Sequence, residues 1–140
     1  MEKVRASLVT PITRTARARS GDAAPKPRGE LSQAQARTEF LISALGTAQA
    51  LAELLNVSRS QPSRWRTGAE SPGPEAGRLL IDLDHVLARA SMLWPTETAR
   101  DWLTGSNAFL QGARPIDVLR ERGSGEVIAA LDASLAGSFA

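Results

Sequence analysis

Leu51-Ala52-Glu53-Leu54-Leu55-Asn56-Val57-Ser58-Arg59-Ser60-Gln61-Pro62-Ser63-Arg64-Trp65 is the stretch on which the fold of this 140-residue chain turns. Ala48, Leu51, Leu54 and Leu55 recur at the spacing of one helix face, with Thr47 placed to cap the helix and Asn56 to end it. Ser58 and Gln61 form an S-x-x-Q pattern, which predicts a capping box opening a second short helix that runs to Thr67 and Gly68. Pro62 then falls near the fourth helical position and removes an early hydrogen bond, so the reading predicts a tightened first turn or a displaced start.

Two short helices joined by a tight turn resemble a helix-turn-helix. Leu51, Leu54 and Leu55 would pack with Val57 and Trp65 and fix the angle between the helices, leaving the opposite face of the second helix free for a major groove. On that face stand Arg59, Ser60, Gln61, Ser63 and Arg64, with Arg66 beside them as a phosphate contact. Arginine matches the O6/N7 edge of guanine and glutamine the N6/N7 edge of adenine, so these six residues are the candidate DNA-binding set. Residues 58–68 hold three arginines and no acid. Against DNA binding stand a solvated face in an ordinary helical bundle, and a helix-turn-helix kept only for packing or dimerisation. A motif that reads a palindrome needs a two-fold dimer, hence an expected homodimer.

Outward from this stretch the pattern stays helical. Upstream, Phe40, Leu41, Ala44 and Leu45 mark a buried stripe of a helix beginning near Leu31 and stopping at Gly46. Downstream, the Ser71-Pro72-Gly73-Pro74 break precedes the longest helix, with Leu79, Leu80, Leu83, Val86, Leu87, Ala90 and Leu93 on one face and Pro95 as its stop. Thr96 is placed to cap the next helix, where Ala99, Trp102 and Leu103 share a face and Gly105 closes the element. Three short pieces follow: Ser106 to Gln111, Pro115 to Arg122 with proline at its first position, and Glu126 to Ala136 with Val127, Ile128, Leu131 and Leu135 as its stripe. No period-2 run bounded by turns stands out, so the expected class is all-α.

Charge is distributed unevenly. Residues 1–29 carry seven basic side chains against Glu2 and Asp22, so they hold +5 of a net +2 and leave the remainder at −3. Prolines and glycines punctuate this arm and its apolar residues keep no period, so it is expected to be flexible, either a solubilising tail or a phosphate contact. The expected organisation is thus an arm over 1–29, a helix-turn-helix region over 30–73, and a helical linker with a C-terminal module over 74–140. The chain has no cysteine, which excludes disulfides, thiolate metal sites and a cysteine nucleophile. No apolar run follows Lys3 and Arg5 as a secretory leader requires, and none approaches a membrane span, so a soluble cytoplasmic protein is expected.

Catalytic chemistry finds little support. The single histidine, His85, lies three residues after Asp82, which makes a polar pair on one helix face but too few ligands for a metal. Phosphate-binding loops, dinucleotide fingerprints and nucleophile elbows are absent. The expected protein is not an enzyme and carries no cofactor or metal.

The most specific pattern begins at Trp94. Trp102-Leu103, Asn107, Leu110, Gly112, Arg114-Pro115-Ile116-Asp117-Val118-Leu119, Gly123, Val127, Leu131 and Gly137 resemble the W-L, N-x-x-L-x-G-x-x-P-x-D-x-L and G-x-x-x-V-x-x-x-L progression of the Xre/MbcA/ParS antitoxins. The resemblance covers residues 38–140 and is strongest from residue 94. It implies an Xre-like helix-turn-helix bundle followed by a small helical toxin-binding module, in an antitoxin of a type II toxin-antitoxin system. Its implied partner is a RES-domain toxin that destroys NAD, bound so that its active-site cleft is blocked, with autoregulatory binding of operator DNA as a second activity.

The residues that the resemblance marks for toxin binding are Gly137, Ser138, Phe139 and Ala140, where Phe139 is either an apolar anchor or folded back on the bundle, together with Arg114, Arg120 and Arg122 as polar partners. Two features depart from the pattern: the basic arm lies outside it, and Pro62 stands where an aliphatic residue is expected. The alternative is a helix-turn-helix transcriptional regulator whose C-terminal module serves dimerisation or effector binding.

Overall fold

Helix α1 (Gln33–Leu45) starts on a capping box that sequence reading passed over: in the computed structural model, which describes residues 31–137, Ser32 Oγ accepts the Gln35 N–H at 3.0 Å and Gln35 Oε1 accepts the Ser32 N–H at 3.1 Å. Thr38, Leu41, Ile42 and Leu45 form its buried face. Phe40, expected inside, is 36% exposed, because it lies one position off that stripe. The Thr38 hydroxyl is buried without penalty, donating to the Ala34 carbonyl at 2.7 Å. Gly46, at φ +97°, stops the helix as expected.

Thr47 caps α2 (Ala48–Leu55), its hydroxyl oxygen accepting the Ala50 N–H at 3.0 Å, and Asn56 ends the helix in the left-handed region. The next helix begins later than the S-x-x-Q pattern indicated. α3 (Gln61–Thr67) has Ser60 at its N-cap position, so Gln61 is its first residue and Pro62 sits in the first turn, where a missing N–H breaks no internal bond. Of the expected box only one half forms: Gln61 Oε1 accepts the Ser58 N–H at 3.2 Å. Pro62 and Trp65 are the buried residues of α3, and Trp65 joins Leu51, Leu54 and Leu55 in one core with Val57 packed against it, the arrangement read from the sequence.

Helix α4 (Pro74–Ala90) follows, ending at Ala90 rather than running to Leu93. The turn that replaces its last residues leaves Leu93 47% exposed, outside the stripe assigned to it. In α5 (Thr96–Thr104), Thr96 is the first helical residue and not the cap; Pro95 holds that position and supplies no side-chain acceptor. The piece expected over 106–111 contracts to a 3₁₀ turn, Ala108–Leu110, because Asn107 Oδ1 takes the Leu110 N–H at 3.2 Å and Gln111 turns left-handed. α6 (Pro115–Arg122) has the expected bounds, and α7 (Gly125–Gly137) completes the described chain. Among the described residues the fold is all-α, as expected.

The helices make one compact unit around a continuous core. α1 packs most extensively on α4 and also reaches α5, so the expected junction at 73/74 is spanned by direct packing. Leu41, Leu45, Leu51, Trp65, Leu80, Leu83, Leu103, Ile116, Leu119 and Leu131 are all essentially removed from solvent, and each such burial is worth roughly 1.5–3 kcal/mol. Of the α5 and α7 stripes, Trp102, Ile128 and Leu135 are only partly covered.

Long-range caps stitch the elements together. Arg100 Nη1 donates to the Leu45 carbonyl at the end of α1 (2.9 Å), Arg120 Nη2 to Leu54 at the end of α2 (2.8 Å), and Arg78 Nη2 to Arg120 within the last turn of α6 (3.0 Å). Each satisfies a helix-terminal carbonyl with a cation, which complements the helix dipole. No described helix is long and apolar enough to cross a membrane. The expectations for residues 1–29 and for Ser138, Phe139 and Ala140 lie outside the described residues.

Candidate functional site

The six residues expected to contact DNA are brought to one end of the bundle by the α2–α3 pair, yet they are not equally free. Arg59 and Ser60 are exposed in the turn, and Ser63 and Arg66 are half-buried along α3. Arg64 and Gln61, the two side chains suited to reading base edges, converge instead on Glu70. Arg64 Nε donates to Glu70 Oε1 at 2.7 Å and Gln61 Nε2 to Glu70 Oε2 at 3.2 Å, while Arg64 Nη1 donates to Ser60 Oγ at 2.7 Å. The Arg64 hydrogen bond, followed by that of Gln61, holds the Glu70 carboxyl below the usual carboxylate range. Counting charge only over 58–68 missed this acid, which lies two residues further on.

Toward the C-terminal end of the described chain the Asn107-to-Leu119 motif resolves into a loop and a staple. From Asn107 to Ala113 the backbone closes on itself, with the Asn107 N–H donating to Ala113 and the Gly112 N–H to Asn107. Gly112 adopts φ +90°, which a side chain would strain. Asp117, in the first turn of α6, takes two hydrogen bonds from Arg114 (2.8 and 3.0 Å) and one from Arg120 Nη1 (2.9 Å). Arg114 chiefly, and then Arg120, lower its carboxyl below the ordinary value. Because Arg120 also caps Leu54, Asp117 orients the bond that fastens α6 to α2.

Arg114 and Arg120 line a cleft of about 320 Å³ between α2, α5 and α6, together with Glu53, Leu54, Arg100, Asp101 and Ile116. Of the three arginines marked for toxin contact, Arg120 is thus committed inside the chain, Arg114 is paired through two nitrogens with Asp117 while half its side chain stays exposed, and Arg122 lies on the surface beside Glu126 at 3.1 Å. Gly137 is the last residue of α7.

Residues 89–137 match the family described as the antitoxin Xre/MbcA/ParS C-terminal toxin-binding domain. They form an Xre/MbcA/ParS-type domain. Over a longer span the chain is similar to the mycobacterial cidal antitoxin MbcA of Mycobacterium tuberculosis and of Mycobacterium bovis, at 27% identity over 93 residues, which is 66% of this chain and 82% of either relative. Among solved structures it is similar to a chain in the crystal structure of the M. tuberculosis MbcT-MbcA toxin-antitoxin complex, with a TM-score of 0.64 and 24% identity over 79% of this chain and 100% of that one. At that identity the likeness is one of fold.

Within the Xre/MbcA/ParS-type domain the motif residues face inward. Leu103, Leu110, Ile116, Leu119, Val127 and Leu131 are core, and Trp94 and Trp102 pack with their rings tilted by 53° and centroids 6.1 Å apart, Trp102 Nε1 donating to Ser134 Oγ at 2.9 Å. What the domain leaves exposed and apolar is Met92 (78%), Leu93 (47%) and Phe109 (57%). Sequence reading missed these three as surface: Leu93 fitted the helical period of α4, and nothing in the periodicity distinguished Met92 or Phe109.

His85 is exposed, and Asp82 pairs with Arg78 at 2.6 Å rather than with the histidine. Among the described residues no three acids, histidines or cysteines gather as a metal set.

Proposed function

We propose that this antitoxin neutralises a RES-domain toxin by binding it and occluding its NAD-degrading active site, and that it contributes no catalysis of its own. The observation that carries the reading is the match of residues 89–137 to a toxin-binding domain, set in a chain whose similarity to MbcA extends well upstream of that domain. Further support comes from the exposed apolar side chains Met92, Leu93 and Phe109, because large apolar groups held in solvent by a folded domain suit a partner surface. Residues 137–140, with Phe139 as anchor, and Arg114 and Arg122 as polar contacts complete the proposed toxin-binding set; Arg120 acts on it indirectly, by holding α6 in place.

Autoregulatory DNA binding by a homodimer is the second activity, through the α3 face with Arg59 and Arg66 on phosphates. The competing reading is a transcriptional regulator whose C-terminal module only dimerises or binds an effector. Deleting residues 137–140 separates the two when co-purification with the toxin and DNA binding are measured side by side. Toxin neutralisation predicts lost co-purification with DNA binding intact, whereas a regulator alone predicts no toxin captured by either form.

A further inference from the structure

The α3 face carries its own competitor for DNA. A built turn delivers Glu70 to it: Gly68, at φ +85°, reverses the chain, the Glu70 N–H donates to the Arg64 carbonyl at 3.2 Å, and Gln35 of α1 reaches the Arg66 carbonyl at 3.4 Å. A Cβ on Gly68 would sit 2.7 Å from Gln35 Nε2, so the turn lies tight against α1. The carboxylate thus placed engages the Gln61 amide nitrogen, while the Gln61 amide oxygen is taken by Ser58. Adenine readout needs both ends of that amide, and Arg64 likewise has Nε on Glu70 and Nη1 on Ser60. For Arg59 and Arg66, by contrast, no carboxylate among the described residues stands within ion-pair distance.

We infer that Glu70 latches the base-reading side chains of α3, so that this face binds double-stranded DNA through Arg59 and Arg66 on phosphates and releases Arg64 and Gln61 only when Glu70 is displaced. The inference rests on the helix-turn-helix binding DNA. Its distinctive consequence is coupling: while Glu70 is present Arg64 contributes little to affinity, and once Glu70 is gone it contributes much.

The test is a fluorescence-anisotropy titration of the full chain with a mixed-sequence duplex at low salt, where phosphate contacts are strongest. Glu70→Ala should tighten binding about tenfold, Arg64→Ala should change the unmodified chain by less than about twofold, and the double variant should lose the gain. Glu53→Ala, which removes an exposed acid from neighbouring α2, controls for charge alone and should give at most about a threefold gain. The latch is overturned if Glu53→Ala matches Glu70→Ala, or if Arg64→Ala costs the same with and without Glu70, provided that Arg59→Ala/Arg66→Ala still weakens binding. If no variant binds, or the Arg59/Arg66 double change has no effect, the DNA-binding reading itself fails and takes the latch with it.

Discussion

Glu70 and Asp117 make the same kind of arrangement, one carboxylate receiving two donors, yet they serve opposite ends. Asp117 holds Arg120, whose other nitrogen closes α2 sixty-six residues away, so its ion pairs are extended into the packing of the fold. Glu70 holds Arg64 and Gln61, six and nine residues away, at the surface of a single turn. An exposed local pair contributes little to stability, because water screens it and its side chains must be ordered to form it. A carboxylate–arginine cluster is structural when it bridges elements and is free to serve recognition when it does not.

The largest effect is expected at the core both regions share. Leu119→Ala should cost about 2–5 kcal/mol, and in a Trp94→Phe/Trp102→Phe background, where Trp65 is the one remaining tryptophan, it should lower the urea midpoints of far-UV signal and fluorescence together, since α6 and the helix-turn-helix belong to one core; separate transitions would mean two independent units. Arg120→Ala should cost about 2 kcal/mol, through the lost charge-assisted bond to Leu54. A urea midpoint unchanged by that substitution would reduce the staple to a surface pair.

Acid gives a finer contrast. Asp117 has a folded pKa below its unfolded value, so its contribution is present above the ordinary carboxylate range and is lost as pH falls through the lowered folded value. Asp117→Asn should therefore flatten the fall in stability below about pH 4, read from urea midpoints across pH. At the small end, Glu70, whose carboxyl is also lowered but whose pair with Arg64 is exposed, contributes little, so Glu70→Ala should lower the urea midpoint at neutral pH only slightly, and a clear drop would make Glu70 structural.

Much of this was legible in the residues themselves. Pro115 and Gly123 bracket α6 because proline suits a first helical position and Gly123 adopts φ +87° beyond the last. The Leu51, Leu54, Leu55 and Trp65 packing followed from helical spacing alone. Less legible was which of two S-x-x-Q patterns caps a helix. The one at Ser32 does and the one at Ser58 does not, since Pro62 is accommodated in the first turn of a helix started three residues later. Glu70 escaped notice because its partners are set by the turn at Gly68, a tertiary fact that charge counted along the chain does not contain. Arg120 likewise read as a surface cation until the fold brought Leu54 beneath it.

Neutralisation of a toxin is the central claim. Cellular NAD and growth, measured in cells expressing the product of the adjacent gene with and without this chain, test it most directly. NAD should collapse when the neighbour is expressed alone and recover when this chain is co-expressed. Toxicity that persists beside soluble, co-expressed chain, or a neighbour that leaves NAD untouched, would contradict it.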